Sequence, residues 1–354
     1  MARERLELPN ELRRDYILER HVIIASARMK RPTDFAVPPK VETEGECPFC
    51  VGNEKATPPA DILLIRSEGG VTLSKDNDGE RRSDWLVRCF PNLYPAMEPS
   101  TEALPTSEPL RPVQVAYGYH EIIVESPNHE EHPGQARVEQ LQISLEASFT
   151  LMRRFLEDER IRYVQLFRNH RKEAGASLSH THSQMIALDS IPKNVGEELK
   201  AFKKYKRAGG GCPYCAIIES EQGSSREVFE NEDFFVLAPW ASITPFELWI
   251  LPKRHEADLL RMTGREVAHL AKTLRSTLGA VSRLLTDPPY NYGFHTAPKG
   301  LDALDYHWHL EIYPKLSLWA GFELSTGVYI NVTPPEIAAR SLREPVKEEW
   351  ASLD

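Results

Sequence analysis

Two Cys-Pro-aromatic-Cys pairs, each followed by a lone histidine and then by His-x-His, constrain this chain more than any other feature. The first set is Cys47, Cys50, His129 and His180; the second is Cys212, Cys215, His255 and His307. His129 and His180 lie 51 positions apart, and His255 and His307 lie 52 apart. Unrelated arrangements would rarely agree so closely, so the chain reads as an internal duplication. Two thiolates and two imidazoles suit tetrahedral zinc. Each half is therefore expected to hold one structural zinc that ties the start of the half to the edge of its sheet. The fifth cysteine, Cys89, is left over and reads as structural.

The hydrophobic pattern supports the duplication. His120–Ser126 reads as a strand, and apolar residues at Leu141, Leu145, Phe149, Met152, Phe155 and Leu156 give a helical period across 137–159. Tyr163–Phe167 is a second strand, and a Gly/Ala/Ser turn leads into the histidine strand. The second half repeats the order: strand Phe246–Leu251, helix 265–285, strand Tyr290–His295 and a last strand Tyr306–Pro314. The expected fold is α+β: two histidine-triad-like halves, residues 1–196 and 197–354, each an antiparallel sheet with a long helix packed on it. A boundary is expected near Pro192–Arg207, which lacks a strand pattern, and a C-terminal helix over Pro334–Leu342.

Within the first half, Gly175–Gln184 carries His-x-His-x-Gln. On a strand, His180, His182 and Gln184 would share one face. If His180 binds metal, His182 is the free imidazole, and a neutral imidazole is a competent nucleophile toward phosphorus. Gln184 offers amide donors for a phosphate oxygen but cannot deliver a proton at neutral pH. The leaving group must then be a good one by itself, as a sugar phosphate is. His309 is the matching position in the second half, but no glutamine follows it in register, so one catalytic centre is expected. Arg28-Met-Lys-Arg-Pro32 suits a phosphate clamp, because guanidinium groups bind phosphate oxygens in pairs. Phe90 and Asn92, in Phe90-Pro-Asn-Leu-Tyr-Pro95, could stack on and read a base, though packing would account for them nearly as well.

The formal net charge of −9 argues against non-specific nucleic-acid binding. That weighs against a zinc-ribbon nucleic-acid module. No apolar run is long enough to span a bilayer and the N-terminus lacks a signal-peptide core, so a cytoplasmic address without a membrane partner is expected. In that reducing setting the Cys-x-x-Cys pairs read as metal ligands before disulfides.

Taken together, Arg28-Met-Lys-Arg-Pro32, Cys47-Pro-Phe-Cys50, Ser126-Pro-Asn-His129, Phe167-Arg-Asn169, Ser177, His180-Thr-His-Ser-Gln184, Phe294-His-Thr-Ala-Pro298 and His307-Trp-His309 resemble the galactose-1-phosphate uridylyltransferases, two-repeat members of the histidine-triad superfamily. The resemblance implies a ping-pong exchange in galactose metabolism, moving UMP between UDP-glucose and galactose 1-phosphate through a nucleotidyl-His182. It assigns Arg28 and Arg31 to the diphosphate, and Asn169, Ser177 and Gln184 to the α-phosphoryl oxygens. It also implies a homodimer in which the partner copy completes each site.

Two departures bear on the reading. Familiar members recognise the sugar phosphate with a lysine and a glutamine in a C-terminal segment; here Phe322 and Glu323 match but those two residues do not. Some members also bind a second metal, iron being one candidate, through a glutamate and three histidines, at the positions of Glu198, His295, His307 and His309. Both ligand sets cannot use His307 at once, and the Cys2His2 set is preferred because thiolates favour zinc. The retained Cys212/Cys215 pair also resembles a plant-type relative, ADP-glucose phosphorylase, which passes AMP to phosphate. A hydrolase using water is less favoured, since Gln184 stands where a hydrolase would have a third histidine.

Overall fold

The computed structural model describes residues 10–26, 46–68, 70–77, 79–100, 110–301 and 305–353. In chain order the elements are β1 (Glu11–Arg14), β2 (His21–Ile24), β3 (Ile62–Ser67), β4 (Gly70–Ser74), β5 (Trp85–Pro91), β6 (Gly118–Val124), α1 (Val138–Glu157), β7 (Tyr163–His170) and β8 (His182–Leu188). There follow α2 (Lys193–Arg207), α3 (Pro213–Glu221), β9 (Glu227–Glu230), β10 (Phe234–Leu237), β11 (Leu248–Pro252), α4 (Gly264–Leu285), β12 (Tyr290–His295), β13 (His309–Pro314), α5 (Gly321–Thr326), β14 (Tyr329–Asn331) and α6 (Pro335–Ala351).

Eleven of the described strands form one sheet in the order β4-β3-β5-β6-β8-β7-β12-β13-β11-β10-β9. Its pairings are antiparallel throughout. Moving outward from the central β7–β12 seam, the first half runs β7, β8, β6, β5, β3 and the second runs β12, β13, β11, β10, β9. The same topology is thus laid down twice, with Tyr290 opposite His170 and Gly293 opposite Phe167 where the halves meet. Duplicated halves of α+β type are what the paired histidine motifs predicted. The 196/197 division falls inside α2, and strands of both halves lie in the one eleven-stranded sheet. A smaller sheet, β1-β2-β14, stands beside it.

Alternation along the strands divides the sheet into two faces. Ile123 and Met185 point into the core beneath α1, α4 and α6, together with Leu145, Phe149, Leu274, Leu278, Leu342 and Val346. Fully burying such a side chain contributes roughly 1.5–3 kcal/mol. Ile122 and Val124 point the other way, into a cluster with Phe49 and Phe90 under the first cysteine pair. The corresponding cluster in the second half holds Tyr214, Phe235, Leu237 and Trp249. Thr263 and Glu266 close α4 with a capping box, which satisfies the free amides of its first turn.

Several boundaries differ from the sequence expectation. His180 and His307 precede β8 and β13 rather than lying on them, so His180, His182 and Gln184 do not line one face. Each of those two imidazoles is turned out of the ladder toward its cysteines. Phe246 adopts φ 62° and lies outside β11, because a left-handed residue breaks the extended ladder. The last helix continues to Ala351 through Pro345. Proline removes one helical hydrogen bond, but burial of Val346 and packing of Trp350 on Phe229, 5.1 Å between ring centroids, hold the later turns in place. No helix among the described residues is long and apolar enough to cross a membrane.

One buried acid on β6 gives the fold a pH dependence. Glu121 is 4% exposed, and its Oε2 lacks a hydrogen-bond partner among the described residues. Burial, and then the nearby Asp61 carboxylate, push its pKa from 4.5 up to about 7 against the pull of Arg154. Between those values the folded chain holds a proton that the unfolded chain has released, so this group's contribution falls as pH rises from 4.5 to 7. Glu121→Gln is expected to stabilise the protein by about 2 kcal/mol at pH 8, with the gain shrinking toward pH 5. Thermal unfolding of both proteins across that range checks it; a gain independent of pH would show that Glu121 is not the titrating group.

Candidate active site

The loop after β6 and the turn before β8 bring His129 and His180 to the Cys47–Cys50 turn. His180 Nδ1 lies 3.8 Å from Cys47 Sγ and 3.5 Å from Cys50 Sγ, and His129 Nδ1 lies 3.4 Å from Cys50 Sγ. The Nε2–H of His180 donates to the Ser126 carbonyl at 2.9 Å, leaving the Nδ1 lone pair facing the thiols. His129 Nε2 bonds Ser179 Oγ at 2.8 Å. The four ligand atoms lie within 4.8 Å of one another.

The second half repeats this arrangement almost atom for atom. His307 Nδ1 lies 3.4 Å from Cys212 Sγ and 3.6 Å from Cys215 Sγ, with His255 Nδ1 at 3.7 Å from Cys215 Sγ. His307 donates from Nε2 to the Pro252 carbonyl at 2.9 Å, the counterpart of Ser126 at the end of β6. Two soft sulfurs and two oriented imidazoles in each cluster fit zinc. Glu198, His295 and His309 form a separate group with ligand atoms within 4.8 Å, while His307 faces the cysteines. His295 donates to Glu198 across 2.9 Å. Burial would lower its pKa, but the Glu198 and Glu311 carboxylates together raise it to about 9.

His182 opens β8, two residues beyond His180. Its Nδ1 lies 2.7 Å from the His180 carbonyl, which makes Nδ1 the protonated nitrogen and leaves the lone pair on Nε2. Burial pushes the imidazole below its ordinary 6.5 despite that hydrogen bond, so it is neutral at physiological pH. Phe49, from Cys47-Pro-Phe-Cys50, packs edge-on to His182 with ring centroids 5.5 Å apart. Beneath the strand, Arg168 donates to the His182 carbonyl at 2.9 Å and pairs with Glu125. Glu125 also accepts from Thr181 and Ser183, so one buried ion pair fixes the backbone on both sides of the nucleophile candidate.

Gln184 sits two residues along β8 on the same face as His182, opposite Phe167, and Asn169 is two residues beyond Phe167 on β7. The ladder thus gathers the imidazole and the two amides on one face. The backbone at Gly175, beside the Asn169 amide, has φ 94°, a left-handed conformation that favours glycine. Ser177 is exposed on the same turn. Asn92 Nδ2 lies 3.2 Å from His120 Nε2, which in turn lies 2.9 Å from Gln184 Oε1. Phe90, in contrast, is 2% exposed and packs edge-on to Phe49 at 5.6 Å, so its ring is spent on packing in this structure. Phe322 and Glu323 lie on the exposed α5, where Glu323 accepts from the Ala320 amide. Arg28 and Arg31 lie outside the described residues.

The counterpart of His182 is closed off. His309 is fully buried and stacks on Tyr214 at 4.6 Å, and its Nε2 lies 3.5 Å from Glu311 in the place of Gln184. Sequence reading missed the aromatic at the third position of each Cys-Pro-aromatic-Cys pair, Phe49 and Tyr214, which lies on the free histidine of its half. Its recurrence in both motifs was the available signal. It also missed Glu125 and Arg168, whose pairing across two strands leaves no local pattern.

Residues 134–349 match a family described as a domain of unknown function, DUF4921. The chain is 35% identical over 343 residues to the ADP-glucose phosphorylase of Arabidopsis thaliana, covering 94% of this chain and 92% of that protein. It is 30% identical over 345 residues to the galactose-1-phosphate uridylyltransferase of Thermotoga maritima, covering 94% and 98%. The solved structure of an Arabidopsis thaliana ADP-glucose phosphorylase with bound ADP-glucose superposes with a TM-score of 0.78 at 30% identity, over 95% of this chain and 99% of that one. A likeness that runs over nearly the full length of each relative, on a fold that carries the paired Cys-x-x-Cys and His-x-His frame twice, means that the chain belongs to the galactose-1-phosphate uridylyltransferase family of nucleotidyltransferases.

Proposed function

We propose that His182 carries a nucleoside monophosphoryl group between a nucleotide sugar and a phosphate-bearing acceptor. The observation behind this is the pinned Nδ1 of a buried, neutral His182, which leaves Nε2 as the attacking lone pair. In the first step an N–P bond forms at the α-phosphorus and the P–O bond to the sugar phosphate breaks. The leaving group takes the electron pair and needs no proton at neutral pH, consistent with a glutamine at position 184. In the second step an acceptor phosphate oxygen attacks the same phosphorus and His182 departs. Gln184, Asn169 and Ser177 donate to the phosphoryl oxygens as charge develops, Arg28 and Arg31 hold the diphosphate, and Asn92 stands on the nucleoside side. Cys47, Cys50, His129 and His180, and Cys212, Cys215, His255 and His307, would each hold a zinc ion, which would supply a structural cross-link in its half.

Two donor–acceptor pairs are in play. ADP-glucose with inorganic phosphate is favoured, because identity is 35% to the relative named ADP-glucose phosphorylase and 30% to the Thermotoga uridylyltransferase. The lysine and glutamine missing from the 320–331 segment also argue for an acceptor without a sugar to recognise. UDP-glucose with galactose 1-phosphate is the second reading, supported by the uridylyltransferase relatives. A cytoplasmic homodimer goes with either, with the exposed Leu318, Phe322 and Leu324 around α5 (88%, 46% and 75%) as the surface a second copy would cover.

Intact mass spectrometry of the zinc-loaded protein, mixed separately with ADP-glucose and UDP-glucose and no acceptor, tests this. An AMP adduct is expected, discharged by inorganic phosphate. A UMP adduct discharged by galactose 1-phosphate would establish the second reading, and no adduct with either donor would overturn nucleotidyl transfer through histidine.

A further inference from the structure

We infer that His120 and Asn291 are positioning residues that lock the side-chain amides of Gln184 and Asn169 with their NH2 groups toward the phosphoryl group. The inference deepens the proposed transfer and rests on it for the identity of the ligand, but its geometry stands on backbone groups that can only donate or only accept.

Consider His120 on β6. The Ala96 backbone N–H donates to its Nδ1 at 3.1 Å, so Nδ1 carries the lone pair and a neutral imidazole must carry its proton on Nε2. That Nε2–H faces Gln184 Oε1 at 2.9 Å. Asn92 Nδ2 also approaches, at 3.2 Å, but the Tyr94 N–H holds the Asn92 oxygen at 2.9 Å, so its NH2 side is the one presented. Two groups that both carry hydrogens do not bond to each other, which leaves Gln184 as the acceptor. The Gln184 oxygen is therefore occupied, and its NH2 is the end left for a ligand.

The same logic runs on the other side of the site. Asn291 Nδ2 donates at 2.7 Å to the Ala174 carbonyl, an atom that only accepts, and this fixes which end of Asn291 is nitrogen. The same nitrogen donates to Asn169 Oδ1 at 2.8 Å across the β7–β12 seam, where Asn169 and Asn291 are paired. The Asn169 oxygen is occupied and its NH2 remains. An amide free to flip would present oxygen to an anionic phosphoryl group half the time. Preorganised donors avoid that repulsion and need no reorientation as charge builds in the transition state.

The test uses the full-length, zinc-loaded protein. In the free protein, a long-range 1H–15N correlation spectrum at pH 7.5 should show His120 as the Nε2–H tautomer; an Nδ1–H tautomer would overturn the assignment whatever the substrate proves to be. His120→Leu should slow nucleotidyl-enzyme formation ~30-fold with the nucleotide-sugar KM changed less than ~3-fold, because the lost interaction belongs to the transition state. His120→Gln, whose amide can place an N–H near the same point, should recover most of the rate. Asn291→Leu should show the same split between kcat and KM. In a Gln184→Ala background, His120→Leu should have no further effect; an undiminished loss there would mean that His120 acts independently of Gln184. Wild-type protein that forms no adduct would sink the nucleotidyl-transfer reading, while the tautomer measurement still decides the orientation.

Discussion

His182→Ala is expected to abolish the covalent adduct and to lower turnover by at least ~10³-fold, the scale for losing a nucleophile whose replacement by water leaves only binding and electrostatic stabilisation. Zinc content and the unfolding midpoint should stay close to wild type, because His182 bonds through Nδ1 to a carbonyl and does not face the cysteines. The second half cannot substitute. His309 is fully buried against Tyr214 with Glu311 at 3.5 Å, and a carboxylate there would repel an incoming phosphate. His309→Ala should therefore leave adduct formation within ~3-fold of wild type. Retained turnover in His182→Ala would show that nucleophile and ligand had been exchanged within the His180–His182 pair.

The features legible in the sequence are those written in local periodicity or in repeated spacing. The helix over 137–159 appears as Val138–Glu157 because its apolar positions recur at the helical period, and both Cys2His2 groups assemble as the spacing implied. The strand Tyr290–His295 is found with the same ends. What could not be read is what depends on pairing between distant strands. Nothing near residue 120 marks it as the partner of residue 184; their contact exists because β6 and β8 are neighbours in the sheet. Phe90 looked like a base platform because aromatic residues serve both recognition and packing, and its burial against Phe49 is set by the fold around the cysteine turn. The extended α6 was hidden for a related reason: Pro345 is a local stop signal, overridden by tertiary contacts of Val346 and Trp350.

The two Cys2His2 clusters look alike but differ in what they touch, and this separates their expected mutational effects. Cys47→Ser and Cys212→Ser should each lower zinc content by one equivalent. Each should also lower the unfolding midpoint by about 5 °C, the shift for about 4 kcal/mol in a chain of this size, since metal held only by the folded state stabilises it. Activity should divide them. The first cysteine turn carries Phe49, whose ring lies 5.5 Å from His182 and 6.2 Å from His180, so loosening that turn frees the ring of the proposed nucleophile. The second turn carries Tyr214, which lies on His309 and reaches no residue of the proposed phosphoryl site among those described. Below the midpoint, Cys47→Ser should slow adduct formation ~100-fold, on the principle that a catalytic group held loosely loses the benefit of preorganisation, while Cys212→Ser should stay within ~3-fold. Metal analysis, thermal unfolding and adduct kinetics on the same samples check all three. Equal loss of activity in both variants would mean that the clusters act through global stability alone; unchanged zinc in either would remove that cysteine from the ligand set.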